Sequence, residues 1–285
     1  MLDESLRLRL ESLNRSPLPA TAKPLIAPSP ERVGAMRPKS STPSRLRPGI
    51  ARPVPGLVRL GEAVSTEAGS HWRVCIPVDE LWPGGERLVA KRHELLAANS
   101  TAECEFVPAF PNRTLFIDLE TCGLSGSALF LIGLLRPVDG RLTVELLLAR
   151  NYSEEGAVLA SLWQRIETDT VLVTFNGKSF DWPMVVDRSR RHLMFRGQPF
   201  PSLKQHDVLH LARRRWKKEL PDCKLQTLEE RICGRSRVGD IPGKLIPAAY
   251  HTYVKTGFER ELDQILFHNA LDLVTVLDLS MRLAI

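Results

Sequence analysis

No stretch of this 285-residue chain approaches the ~20 continuous apolar residues that a membrane helix needs, so no membrane partner is expected. The opening MLDESLRLRLESLNR lacks an apolar h-region and mixes acids with bases, which argues against a secretory signal. Cysteine is sparse. Cys75, Cys104, Cys122, Cys223 and Cys233 form no Cys-x-x-Cys pair and are odd in number, so neither a disulfide frame nor a zinc site is expected. Reduced thiols in a cytoplasmic setting fit that pattern. The chain also lacks an internal repeat.

The charge is uneven. Formal net charge is +6, yet residues 1–60 carry eleven Lys/Arg against four acids, leaving the remainder near neutral and slightly acidic. The basic character therefore describes the N-terminal segment, and whole-chain charge says little about what the folded part binds. Leu6, Leu10 and Leu13 fit one face of a short helix. From Ser16 to Pro55 the chain holds ten of its 21 prolines with Ser, Thr and Arg between them, a composition expected to stay disordered and extended. Three regions follow: residues 1–55, an N-terminal helix and Pro/Arg-rich linker; 56–111, a small annex with a strand at His71–Val78 and a helix at Glu86–Ala98; and 112–285, the main domain.

In the main domain, Thr114–Glu120 reads as a buried strand. Ala128–Arg136 and Leu142–Ala149 are two more, joined by a tight Asp139-Gly140 turn. Ser153 is expected to cap a helix to about Ile166. Val171–Phe175 is a fourth strand, with a helix from about Ser179. A further strand and helix span Leu203–Lys218, Lys224–Ile232 is a helix ended by Gly234, and a long helix runs from Phe258 to Leu283. Strands first in a meander and then alternating with helices imply an α/β mixed sheet flanked by helices.

Three places carry candidate chemistry. Asp118 and Glu120 are two apart on a strand, so both carboxylates face the same way. Two adjacent anions are costly to bury unless a cation compensates them; an isolated Asp-x-Glu is nonetheless more often a pair of surface acids. Asp181 closes Asn176-Gly177-Lys178-Ser179-Phe180-Asp181 after the fourth strand, where ligands collect in open sheets; an acid in a first helical turn can equally serve the helix dipole. Asp272 lies in an apolar helix one turn beyond His268. Asp278 falls on another face of that helix and is expected to be solvated. Trp182 could stack on a terminal base, although a core position suits it better.

In this order, Asp118-x-Glu120-Thr121, Asn176-x-x-x-Phe180-Asp181 and a helical Asp272 resemble the three exonuclease motifs of the DEDD superfamily and, within it, the YprB-like branch of ribonuclease H-like nucleases. Gly123-Leu124-Ser125, His206-Asp207-Val208-Leu209, Leu225-Gln226-Thr227-Leu228-Glu229 and Asp240-Ile241-Pro242-Gly243 extend it across residues 56–285. The resemblance implies a ribonuclease H-like fold and metal-dependent 3′–5′ exonuclease activity. Asp118, Glu120, Asp181 and Asp272 would hold two Mg²⁺ or Mn²⁺ ions, with His268, titrating near neutrality, as the base. Histidine-type members place the base five residues before the last aspartate and tyrosine-type members four. Here Phe267 stands at five and His268 at four. Thr121, Asn176, Lys178, Asp207, Arg213 and Arg214 are candidate substrate contacts, with Asp207 alternatively a helix cap or a fifth carboxylate, and the Arg run alternatively a solvated helix face. The expected partner is DNA or RNA with a free 3′ end. The alternatives are a binding module of the same fold without chemistry, and a structure-selective endonuclease.

Overall fold

The structure, a computed structural model, describes residues 50–51, 56–99, 105–123 and 126–283. The expected helix at residues 3–14, nearly all of the proline-rich linker, and Leu124-Ser125 lie outside these residues.

In chain order the described elements are β1 (Ile50–Ala51), β2 (Glu62–Thr66), β3 (Gly69–Pro77), α1 (Gly85–Asn99), β4 (Thr114–Thr121), β5 (Leu129–Val138) and β6 (Arg141–Leu148). There follow α2 (Glu155–Trp163), β7 (Val171–Thr174), α3 (Asp181–Arg191), β8 (Lys204–Asp207), α4 (Val208–Trp216), β9 (Ser236–Arg237), α5 (Ile246–Thr256) and α6 (Arg260–Leu283). Shorter turns of helix link some of them.

Seven strands form one mixed sheet in the order β2-β3-β6-β5-β4-β7-β8. β4, β5 and β6 make an antiparallel meander, and β3 pairs antiparallel with β6. β7 and β8 run parallel to β4, because each is reached through a helix rather than a hairpin. The segment expected as an annex thus supplies the β2–β3 edge of this sheet. Asp139 (φ 50°) and Gly140 (φ 79°) make the two-residue turn between β5 and β6, the left-handed pair that such hairpins require.

The central strands are continuous apolar runs because helices cover both faces. Leu129 to Leu135 and Val144 to Leu148 are buried throughout. Helices α2 and α3 pack on one face; α6, backed by α1, α4 and α5, packs on the other. Helix α6 has 24 residues, a rod of roughly 36 Å, and fills the core with Leu262, Ile265, Leu266, Leu273, Val274 and Leu277 among others. Each such side chain contributes about 1.5–3 kcal/mol of burial.

Two local expectations differ. Helix α2 begins at Glu155 after a turn of 3₁₀ helix at Tyr152–Glu154, and it is this turn that is capped, by Asn151 and not Ser153: the Asn151 side chain accepts from the Ser153 amide at 3.0 Å. The Lys224–Ile232 helix is an α-turn at Leu225–Leu228 that widens into a π-turn at Glu229–Cys233 before left-handed Gly234 (φ 68°). The wider turn carries Glu229 inward, where it is 2% exposed.

Candidate active site

The parallel strands β4 and β7 end at the same edge of the sheet, and the candidate acids gather there. Asp118 and Glu120 stand near the end of β4, on one side of the strand, and are half-buried. Asp181 opens α3, directly after the turn that leaves β7. That turn is tight. Asn176 adopts φ 68°, and a Cβ on Gly177 would lie 2.4 Å from the Thr174 side chain, so the chain can double back here only with glycine. Asp272 projects from α6, which packs on β4.

Charge shows how close these groups are. Burial, then the negative charges of Asp272, Glu120 and Asp181, hold the Asp118 carboxyl well above the usual carboxylate range, with Arg237 opposing. Burial pushes Glu120 up to about 8; His268 and an Asn269 hydrogen bond pull against it, while Asp272 and Asp181 add to it. Burial raises Asp181 to about 7, helped by the charge of Asp207 and resisted by backbone hydrogen bonds. The structure brings all four acids together.

Around them lies a shell of partners. Asn269, fully buried, donates from Nδ2 to Asp118 Oδ2 at 2.7 Å. It fits there because residue 133, on the neighbouring strand, is glycine: a Cβ would lie 1.8 Å from Asn269 Oδ1. Arg237 donates from Nη2 to Asp272 Oδ1 at 2.6 Å and from Nε to Glu229 at 2.5 Å. His268 lies between two carboxylates: Nδ1 is 2.9 Å from Asp240 Oδ1 and Nε2 is 3.5 Å from Asp272 Oδ2. Burial would lower the imidazole, but the Asp240 hydrogen bond and the charges of Asp272, Asp240 and Glu120 outweigh it and raise it to about 9. The expected titration near neutrality is therefore corrected. In this arrangement His268 carries its proton at pH 7.

The candidate substrate contacts divide. Asp207 is buried with both oxygens engaged: Oδ1 accepts from the Asn176 and Leu209 amides, and Oδ2 from the Lys178 amide. It caps α4 and fastens the turn before Asp181, so Asn176 and Asp207 shape the site. Thr121 donates to the Gly123 carbonyl at 2.7 Å. The Lys178 side chain is exposed on the turn before Asp181. Arg213 and Arg214 are exposed roughly two turns along α4 from Asp207 and are not brought to the acids. Trp182 packs edge-on against Trp163 at 5.5 Å. The open ring beside Asp181 is Phe180, 66% exposed.

Sequence reading missed Asn269, Arg237 and Asp240 as members of this site. Asn269 had a signal, since it lies three residues before Asp272 and so near its helix face; the other two had none beyond their place in or beside the Asp240-Ile241-Pro242-Gly243 stretch.

A family model described as RNase_H superfamily matches residues 115–284, more than half of the chain. The chain belongs to the RNase H superfamily. The mixed sheet, with its meander followed by two parallel strands, is that superfamily's architecture, and its members are typically hydrolytic nucleases that use divalent metals. This RNase H-like chain is 35% identical over 178 residues to a protein of Bacillus subtilis (strain 168) described as uncharacterized protein YprB; the match covers 61% of this chain and 42% of that protein's length. A family B DNA polymerase from the archaeon Pyrobaculum calidifontis aligns with a TM-score of 0.47 at 18% identity, over 61% of this chain and 24% of that one.

Among the described residues, no three His, Cys, Asp or Glu side chains stand converged on one ion position. Asp272 is bonded to Arg237 and Asp118 to Asn269. The donor set itself fits a hard cation. It is all carboxylate oxygen, it is crowded against its own repulsion, and Asp272 Oδ2 and Asp118 Oδ1 are not taken by those two bonds. Among the described residues, no helix is long and apolar enough to cross a membrane.

Proposed function

We propose that this chain is a divalent-metal-dependent 3′–5′ exonuclease acting on DNA or RNA. One observation carries the reading: in an RNase H-like fold, four carboxylates from three elements crowd at the strand ends with too few cations to neutralise them. Asp118, Glu120, Asp181 and Asp272 would hold two Mg²⁺ or Mn²⁺ ions, which when bound supply charge for the attacking and leaving oxygens of a phosphodiester.

The chain's own groups do the rest. Asn269 holds Asp118 and Arg237 holds Asp272, so two of the four acids have fixed orientations. Neutralising Asp272 and Glu120 would remove two of the charges that keep the proton on His268, freeing Nε2 to take a proton from the attacking water. Phe180 offers a face on which a terminal base can stack, and Lys178 a contact for its phosphate. Thr121 follows Glu120 at the end of β4. Arg213 and Arg214 lie further out, where a longer strand would pass.

The test uses full-length protein with 5′-end-labelled single-stranded DNA and RNA, in Mg²⁺, Mn²⁺ or EDTA. An exonuclease gives products shortened one nucleotide at a time from the 3′ end, and none in EDTA. Fixed internal fragments would make it an endonuclease, and retention without cleavage a binding module.

A further inference from the structure

We infer that Asp240 is a positioning residue for His268, fixing the ring so that Nδ1 carries its proton toward Asp240 and Nε2 faces the acid cluster. This rests on the reading of His268 as the base, and it gives a task to the Asp240-Ile241-Pro242-Gly243 stretch.

The geometry is specific. Asp240 Oδ1 lies 2.9 Å from Nδ1, and the Asp240 and His268 side chains are only 12% and 9% exposed. An ionised carboxylate accepts and never donates, so Nδ1 must be the donor. In the neutral ring the lone pair is then left on Nε2, on the side of Asp272. The carboxylate is itself held: Arg237 Nη1 donates to Asp240 Oδ2 at 3.3 Å, and Ile241, 7% exposed, anchors the loop in the core. Arg237 also grips Asp272. One buried guanidinium thus fixes the carboxylates on both sides of the imidazole. Charge balance alone does not call for Asp240, because Arg237 already has Glu229 and Asp272 as anionic partners.

The same arrangement makes Asp240→Asn informative. Arg237 is donor-only, so the new amide would turn its oxygen to Arg237 and its NH₂ to Nδ1. A donor facing Nδ1 forces the proton onto Nε2, the wrong nitrogen for a base. Asp240→Ala would merely release the ring. A structural role predicts the reverse order, since Ala leaves a void and an unsatisfied arginine where Asn is nearly isosteric.

Full-length variants are assayed on end-labelled single-stranded DNA and RNA with Mn²⁺. Asp240→Asn is expected to lower kcat about 10–100-fold with KM nearly unchanged, and Asp240→Ala to lower it less. Adding Asp240→Asn to His268→Ala should cost nothing further. Independently of activity, ¹⁵N spectra of histidine-labelled, metal-free protein, recorded at a pH where the ring is neutral, should show the His268 proton on Nδ1 in wild type and on Nε2 in Asp240→Asn. An Ala variant worse than Asn, losses that multiply with His268→Ala, or an unchanged tautomer would each overturn the inference. Should wild-type protein leave both nucleic acids intact, the nuclease reading fails, and the spectra alone decide whether Asp240 sets the ring.

Discussion

Helix α6 carries two acids six residues apart that meet opposite surroundings. Asp278 is fully buried, but Arg235 and Arg282 each reach it at 2.8 Å, and Arg92 also pairs with it. Burial pushes its carboxyl up, yet these arginines hold it below the ordinary range. Glu145 is treated alike by Arg165 and Arg136. At the other end of the comparison, Asp272 shares one arginine with Glu229 and Asp240, and its neighbours Asp118, Glu120 and Asp181 are all pushed upward. The fold places two or more arginines against each of the buried acids Asp278 and Glu145. Beside the strand ends it leaves a deficit of positive charge, which supports the proposal that a divalent ion completes the site.

The largest effect that would break this contrast is at the paired acid. Asp278→Ala leaves Arg235 buried without its carboxylate and should cost about 3–5 kcal/mol, lowering Tm by roughly 10 °C in calorimetry. A shift within a degree or two would mean that the arginine cage stabilises nothing.

Next comes the pH dependence of the unpaired cluster. Glu120 and Asp181 titrate at about 8 and 7 in the fold, against 4.5 and 3.8 unperturbed. The folded state therefore binds more protons than the unfolded one between those values, and this contribution to stability is lost as pH rises from about 4 through 8. Metal-free melts at pH 5 and pH 8 should show it. At pH 8, saturating Mn²⁺ should restore about 2.7 kcal/mol at 100 times Kd. A rise in metal-free stability over that window would contradict the charge deficit.

Asp118→Asn sharpens the contrast with a smaller, opposite effect. It removes one repelling charge while leaving an oxygen for the Asn269 amide, so metal-free Tm at pH 8 should rise by a few degrees, about 1 kcal/mol. The stabilisation by Mn²⁺ should shrink with it. A fall in Tm comparable with that of Asp278→Ala would mean that Asp118 is a structural acid.

The central strands β4 to β7 were legible in the sequence because they are apolar runs bounded by turns, and alternation put Asp118 and Glu120 on one side of β4; the polar β2 was not, and β3 was expected in an annex rather than in this sheet. That Asp181 and Asp272 belong with them was implied by the resemblance to the DEDD motifs; their places at a strand exit and on the last helix fitted a dipole acid and a solvated helix pair as well. What lay beyond reach were contacts between distant segments. Asn269 meets a residue 151 positions away, and Arg237 meets one 35 away. Asp278 was expected in solvent because helical spacing turns it away from Asp272; spacing does not tell that arginines at 92, 235 and 282 wait on that other face. The cap expected at Ser153 lies at Asn151, since both are good cap types and the chain enters α2 through a 3₁₀ turn that Asn151 caps.

The central claim, that the acid cluster is a divalent-cation site that hydrolyses nucleic acid, is tested most directly by Mn²⁺ binding and hydrolysis measured together on wild type and Asp118→Asn. Isothermal titration should show Mn²⁺ binding by wild type and affinity weakened at least about tenfold in the variant, with hydrolysis of end-labelled strands lost and the circular dichroism spectrum unchanged. Equal Mn²⁺ affinity and equal hydrolysis in the two proteins would contradict it.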